Sequence, residues 1–149
     1  MVLVDTCVWS AALRRRNVES VPEEAILLQR LIRQHRAVMI GPILQEVLTG
    51  IKHEAQFTRL CDKLSAFDLL PISEMDYISA ATQASICRRN EVQDSHTDFL
   101  ITTMAIKHQI PVLTTDKEFI QHIRQFIHHK VGNDHIGGLL ELVKVGNRP

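Results

Sequence analysis

The sequence has little of what marks a secreted or membrane-spanning protein. It contains three cysteines in 149 residues, and no two of them form a CxxC pair. We therefore expect neither a disulfide scaffold nor a zinc ribbon, and a reducing cytoplasm fits best. No run approaches the ~18 consecutive apolar residues of a membrane span. The first residues also lack the pattern of a signal peptide, so we expect a cytoplasmic protein with no membrane segment.

The sequence also has no excess of positive or negative charge. Seventeen Lys and Arg residues balance seventeen Asp and Glu residues, giving a formal net charge of zero. This excludes a globally basic nucleic-acid coat and an acidic disordered tail. There is no low-complexity segment, internal repeat or Gly/Ser linker. The 45% of hydrophobic residues can fill one sizeable core, so we expect residues 1–149 to form a single domain.

Short apolar runs alternate with longer helical patterns along the chain. The runs are almost continuously apolar rather than alternating, which is typical of a parallel sheet covered on both faces. The sequence therefore predicts an α/β fold. Predicted strands span 2–4, 37–40, 69–72, 112–115 and 139–145, and predicted helices span 22–36, 43–52, 54–67, 77–89, 97–109 and 118–127.

Acidic residues stand where the carboxyl edge of this sheet is expected. Asp5 and Asp116 each follow a predicted strand, and Glu46 and Asp98 lie in the first turns of predicted helices. Ligands of parallel sheets bind at this edge. Two carboxylates ~4 Å apart repel each other by ~4 kcal/mol at an effective dielectric near 20. Such a cluster must be partly protonated or must hold a cation.

A cluster of carboxylates without His or Cys favours Mg²⁺ or Mn²⁺, which prefer oxygen ligands. It is a plausible site for phosphodiester hydrolysis, in which the metal activates water. Each acid alone also has a structural interpretation. Asp5 and Asp116 could be helix caps or turn residues, Asp98 could belong to a capping box, and Glu46 could face solvent.

Four segments carry a resemblance to a known family. They are residues 4–9 (VDTCVW), 42–50 (PILQEVLTG), 98–105 (DFLITTMA) and 113–119 (LTTDKEF). In this order they resemble the four motifs of the PIN-domain ribonucleases, and most closely those of VapC-type toxins of prokaryotic toxin–antitoxin pairs. The match extends over nearly the whole chain, and four ordered motifs are far more specific than any single one.

The resemblance implies a three-layer α/β/α sandwich with a central parallel sheet. It implies Mg²⁺- or Mn²⁺-dependent cleavage of RNA by an endoribonuclease toxin, a homodimer, and inhibition by a cognate antitoxin protein. Carried over by position, the catalytic acids are Asp5, Glu46, Asp98 and Asp116, of which Asp5, Asp98 and Asp116 are the metal ligands.

The resemblance also implies hydroxyl groups that support the acids. Thr114 fits the hydroxyl residue of the last motif, and Thr6 follows the first acid. Cys7 departs from the pattern, because the family more often has Ser or Asn at its position. This departure affects a supporting hydrogen bond rather than the metal ligands. Asp94, four residues before Asp98, is interpreted as a loop or cap residue.

RNA binding by a neutral protein must come from local groups of cations. Arg14, Arg15 and Arg16 are the densest group and are candidate phosphate contacts. They could equally form a solvated basic face, and the same choice applies to Arg88 and its neighbour. Trp9 could stack on a base, but its place right after a buried strand favours core packing.

Other functions fit an acid-lined parallel sheet. In an aspartyl-phosphate phosphatase Asp5 would be the nucleophile, but a second acid is usual two residues on, where this chain has Cys7. In a phosphoacceptor signalling domain the partner lysine would be Lys117, which is poorly placed directly after Asp116. An inactive PIN scaffold is a third alternative, against which the complete set of four acids argues. Covalent phosphorylation of Asp5 would support the first two alternatives, whereas metal-dependent RNA cleavage would support the nuclease.

Overall fold

The computed structural model describes residues 1–13, 21–89, 95–121 and 123, and the backbone of 143–144. Arg14, Arg15, Arg16 and Asp94 lie outside the described residues. The strands are β1 (Val2–Val4), β2 (Ala37–Ile40), β3 (Leu69–Leu70), β4 (Val112–Leu113) and β5 (Val143–Lys144). The helices are α1 (Thr6–Leu13), α2 (Glu23–Arg33), α3 (Gly41–Thr49), α4 (Glu54–Leu64), α5 (Glu74–Arg89) and α6 (His96–His108), and residues 117–121 are also helical.

The strands form one parallel sheet in the order β3-β2-β1-β4-β5. Strand β1 is central: Leu3 is paired with Val38 of β2 on one side and with Val112 of β4 on the other. All residues of β1 and β2 are buried. Their continuously apolar sequences therefore report strands that are covered on both faces, as predicted.

The direction of the crossovers explains the layers. From β1 the chain moves outward to β2 and β3, and it then returns across the sheet to β4 and β5 on the other side. Parallel crossovers are almost always right-handed. The helices of the first half, α1 to α4, therefore cover one face, and α5 and α6 cover the other. The result is the predicted three-layer α/β/α sandwich, with a topological switch point between β1 and β4.

Trp9 belongs to the core, as the sequence predicts. It is 3% exposed, its ring meets that of Phe67 edge to face at 5.0 Å, and its indole N–H donates to the Val4 carbonyl at 3.2 Å. These contacts fix the start of α1 directly below the end of β1. Residues 5 to 7 are thereby held at the carboxyl edge of the sheet.

Several boundaries differ from the predicted ones, and two of the differences are due to proline. Helix α3 begins at Gly41 rather than at residue 43, because Pro42 occupies the first turn, where its missing N–H has no intrahelical role. Strand β3 is limited to two residues at the edge of the sheet, directly before Pro71. Within the described part of the chain, no helix is long and apolar enough to cross a membrane.

Candidate active site

The switch point between β1 and β4 places a carboxylate and a hydroxyl against each other. Because Val4 pairs with Leu113, the next residues of both strands leave the sheet side by side. Thr114 Oγ1 donates to Asp5 Oδ2 at 2.6 Å. Thr114 is fully buried and Asp5 is 6% exposed. The first acid of the cluster is thus held almost inside the core.

The Cys7 thiol joins the same pair of strand ends. Its Sγ donates to Asp5 Oδ2 at 3.1 Å and accepts from the backbone N–H and the hydroxyl of Thr115 at 3.4 and 3.3 Å. Burial raises the pKa of the Cys7 thiol, and the negative charge of Asp5 raises it further, while hydrogen bonds with Thr114 and Thr115 oppose the shift. The thiol therefore stays protonated and acts as a donor to Asp5, in the place where Ser or Asn was expected to donate.

Asp98 belongs to the capping box of α6. Its Oδ2 accepts from the Ser95 hydroxyl at 2.7 Å and from the Ser95 backbone N–H at 3.0 Å, and its own N–H donates to the Ser95 hydroxyl. Burial raises the pKa of the Asp98 carboxyl, the Ser95 hydrogen bonds oppose this shift, and the charges of Asp5 and Asp116 add to it. Asp98 therefore lies close enough to Asp5 and Asp116 for their charges to act on it, although the three acids are far apart in the sequence.

Asp116 caps the helical residues that follow β4. Its Oδ1 accepts from the backbone N–H groups of Glu118 and Phe119 at 2.9 and 3.1 Å, and its own N–H donates to Thr114 Oγ1 at 3.1 Å. The capping interpretations of Asp98 and Asp116 are therefore structurally correct. They do not compete with a functional role, because each cap uses one oxygen of the carboxylate.

Glu46 lies on an exposed part of α3, yet both of its oxygens are engaged. The Thr6 hydroxyl donates to Oε2 at 2.7 Å, and the Thr97 hydroxyl donates to Oε1. Thr6 follows Asp5 and Thr97 precedes Asp98, so Glu46 is held beside both. The interpretation of Glu46 as a side chain that merely faces solvent does not account for these two bonds.

Sequence reasoning missed two hydroxyl residues of this site. Thr97 holds Glu46, and Thr115 donates to the Cys7 sulfur. Each directly precedes an acid of the cluster, Asp98 or Asp116. A search for hydroxyl residues adjacent to the acids would have found both.

The donor set fits a hard divalent cation. Asp5 Oδ2, Asp98 Oδ2 and Asp116 Oδ1 accept bonds from the protein, whereas no described residue donates to the second oxygen of these carboxylates. Among the described residues, no three His, Cys, Asp or Glu side chains already converge as a metal cage. Mg²⁺ is commonly held by only one or two carboxylates together with water, so a preformed cage is not required.

A PIN domain family model matches residues 2–124. The chain belongs to the PIN domain family. Comparison with solved structures gives FitAcB from Neisseria gonorrhoeae, at 21% identity and a TM-score of 0.65 over 83% of this chain and 93% of that one. This similarity shows that the fold is shared. Comparison with curated protein sequences gave no match.

Proposed function

We propose that this chain is an Mg²⁺- or Mn²⁺-dependent endoribonuclease, the toxin of a toxin–antitoxin pair, and that residues 1–149 form one PIN domain. The observation that supports this most directly is that Thr114 Oγ1 contacts both Asp5 and the backbone N–H of Asp116 at the carboxyl edge of the sheet, and that the charges of these two acids help to raise the pKa of Asp98. PIN domains are typically metal-dependent nucleases. The four motifs of the sequence resemble those of VapC-type toxins.

In this proposal Asp5, Asp98 and Asp116 would hold the metal, and each has one carboxylate oxygen to which no described residue donates. Hydrolysis of a phosphodiester needs an activated water and neutralisation of charge on the phosphate, both of which a divalent ion supplies when bound. Water attacks phosphorus, one P–O bond breaks, and the leaving oxygen is protonated. Glu46, which is held by Thr6 and Thr97 at the exposed rim, is positioned to accept a proton from that water.

The partners follow from the electrostatics of the site. Three carboxylates that repel one another favour any cation that enters. We propose that a cognate antitoxin inhibits the enzyme by placing a basic or aromatic side chain among them. The proposal includes a homodimer acting on RNA in the cytoplasm. Expression of the chain alone should arrest a bacterial host, and expression together with the antitoxin should restore growth.

The decisive experiment uses the purified chain with single-stranded RNA and Mg²⁺ or Mn²⁺, with EDTA as a control. Asp5→Asn should abolish cleavage, whereas Asp62→Asn, which removes the same charge from an exposed position on α4, should cleave like the parent. Equal metal-dependent cleavage by the parent and Asp5→Asn would refute the assignment of the active site to this acidic cluster. Absence of any cleavage by the parent would refute the proposal.

The phosphotransfer alternative can be tested with the same protein. If Asp5 were a phosphoacceptor, a small phosphodonor such as acetyl phosphate would label the parent and not Asp5→Asn. We expect no label. The residue two positions on, where a phosphatase places its proton donor, is Cys7, and its thiol donates to Asp5 itself.

A further inference from the structure

A groove of about 280 Å³ runs between α5 and α6, outside the acidic cluster. The two helices are antiparallel, because Asp76 near the start of α5 contacts Lys107 near the end of α6, and Gln83 contacts Thr103. The groove is lined by Tyr77, Ala80, Ala81, Ala84 and Arg88 from α5, and by His96, Phe99 and Leu100 from α6.

The groove exists because α5 places small side chains along it. Ala80, Ala81 and Ala84 leave room beside α6 that longer side chains would fill. The aromatic ring of Tyr77, which is 51% exposed, lies at one end. Proteins stack nucleobases on aromatic side chains, because every base has a π-face, and Tyr77 offers such a ring beside the apolar alanines.

The other end of the groove carries donors for a phosphate. Arg88 and His96 are both exposed there, and within the described ranges no carboxylate forms an ion pair with either of them. An arginine binds phosphate through a planar set of donors. Because the chain has zero net charge, its contacts with phosphates must come from local cations such as Arg88, and these contacts position the bound nucleic acid.

This end adjoins the candidate active site. His96 is the first residue of α6, and the next two residues are Thr97, which holds Glu46, and Asp98 of the acidic cluster. Asp98 Oδ2 accepts from the N–H and the hydroxyl of Ser95, so this carboxylate lies at the start of α6, next to the backbone of His96. Residues two apart leave a helix on different sides, so a strand whose phosphate lies among the acids bends around the start of α6 to reach His96 and Arg88.

We propose that this groove binds a nucleotide of the RNA substrate next to the bond that is cut. The base lies on the alanine floor, and its phosphate is bound by Arg88 and His96. This inference rests on the proposed ribonuclease function and names a subsite for its substrate. The acids repel phosphates, so cations beside the cluster are needed to hold the strand.

A protein is the competing occupant. Met75, Ile78 and Ile86 are exposed on α5, as is Tyr77 at the rim of the groove. A second copy of the chain could cover such a surface. RNA is favoured because the donors lie at the end of the groove beside the acids.

The test measures binding of a fluorescent single-stranded RNA in an Asp5→Asn background, in which cleavage is prevented. Arg88→Gln should weaken binding about tenfold, as expected for one charge-assisted contact, and should reduce the salt slope by about 0.7. Arg59→Gln is the matched control, with less than a twofold effect expected. Arg59 is exposed on α4, and its Nε donates to the carbonyl four residues earlier, as does that of Arg88.

A second pair of variants tests the floor of the groove. Ala81→Leu should fill it and weaken RNA binding about tenfold, while Ala55→Leu, at another exposed helical alanine, should leave binding unchanged. Thermal melting checks that each variant is folded, and sedimentation reports its oligomeric state. As a further control, the same groove variants are made with Asp5 intact. They should still cut RNA, but only at a higher substrate concentration than the parent needs.

The outcomes separate the two proposals. If the parent cuts RNA and the Arg88 and Ala81 variants bind RNA as their controls do, the groove is not a nucleotide site and the ribonuclease proposal stands. If these variants change the oligomeric state instead, the groove receives a second copy and the inference is wrong. If the parent neither binds nor cuts RNA, both proposals fail.

Discussion

Thr114 donates its hydroxyl to Asp5 across the junction of two parallel strands, at 2.6 Å and with almost no exposure to solvent. The same oxygen of Thr114 accepts from the N–H of Asp116 at 3.1 Å. One buried hydroxyl therefore links the first and the last acid of the cluster.

Thr114→Val should lower the free energy of unfolding by about 1–3 kcal/mol, because it leaves a buried carboxylate and a backbone N–H without this partner. Thr114→Ser keeps the hydroxyl and should cost only about 1 kcal/mol for the lost methyl group. Urea unfolding measures both. Thr102→Val is the control: Thr102 is equally buried, but its hydroxyl donates only within α6, to the Asp98 carbonyl. A Thr114→Val variant as stable as this control would contradict the prediction.

Cys7→Ala should weaken Mn²⁺ binding and metal-dependent cleavage by about 10–100-fold, the usual effect of losing a group that orients a metal ligand. Cys7→Ser should restore a donor to Asp5 and stay within about threefold of the parent. Mn²⁺ affinity is measured by calorimetry, which does not depend on cleavage. Cys61→Ala, at a half-buried cysteine of α4, is the matched control. Equal behaviour of the Ala and Ser variants would rule out a role of the thiol as donor.

Asp98→Asn should remove cleavage while leaving the free energy of unfolding of the metal-free protein equal to or above that of the parent. Burial and the neighbouring charges raise the pKa of the Asp98 carboxyl, so its ionised form is disfavoured in the fold. An asparagine oxygen can still accept from Ser95, which preserves the cap. Cleavage at the parent's rate would remove Asp98 from the site. A large loss of stability would show that the charge itself supports the fold.

The free energy of unfolding at acidic pH should depend on Asp76. The Lys107 hydrogen bond, followed by those of Ser73, lowers the pKa of Asp76 from 3.8 to about 2. The folded protein then binds fewer protons than the unfolded chain in this range. The stabilisation is therefore complete above about pH 4 and is lost as the pH falls towards 2.

Asp76→Asn should flatten this part of the profile and lower stability at neutral pH. Chemical unfolding at a series of pH values measures both effects. Asp68→Asn, at an exposed acid before β3, should leave the profile unchanged. If the Asp76 and Asp68 variants behave alike, the contact between α5 and α6 has no linkage to pH.

Most of the sheet could be predicted from the sequence, because strands that are buried on both faces consist of unbroken apolar runs. Strands 2–4 and 37–40 are found with the predicted bounds, since each is an unbroken apolar run. The strand predicted over 112–115 ends at Leu113 instead. Its partner β1 ends at Val4, and Thr114 and Thr115 turn to Asp5 and Cys7.

The residues of the candidate site could be named from their order in the chain, but their contacts could not. Nothing in the sequence shows which oxygen of Asp98 or Asp116 the protein engages, because this depends on side-chain rotamers. The groove between α5 and α6 could not be predicted from the sequence either. In a sequence, Ala80, Ala81 and Ala84 indicate only a good helix former, and the space beside them depends on how the neighbouring helix packs.

The central position of β1 has a consequence for the timing of synthesis. Its first acid, Asp5, leaves the ribosome early, but the strand that supplies Thr114 and Asp116 follows only after 111 further residues (116 − 5). Before then β1 lacks one of its two neighbours, and contacts so distant in sequence form late. A nascent chain therefore has no complete acidic cluster until residue 116 has emerged. Under the proposed ribonuclease function, no cleavage of RNA can begin before that point, however early Asp5 is made.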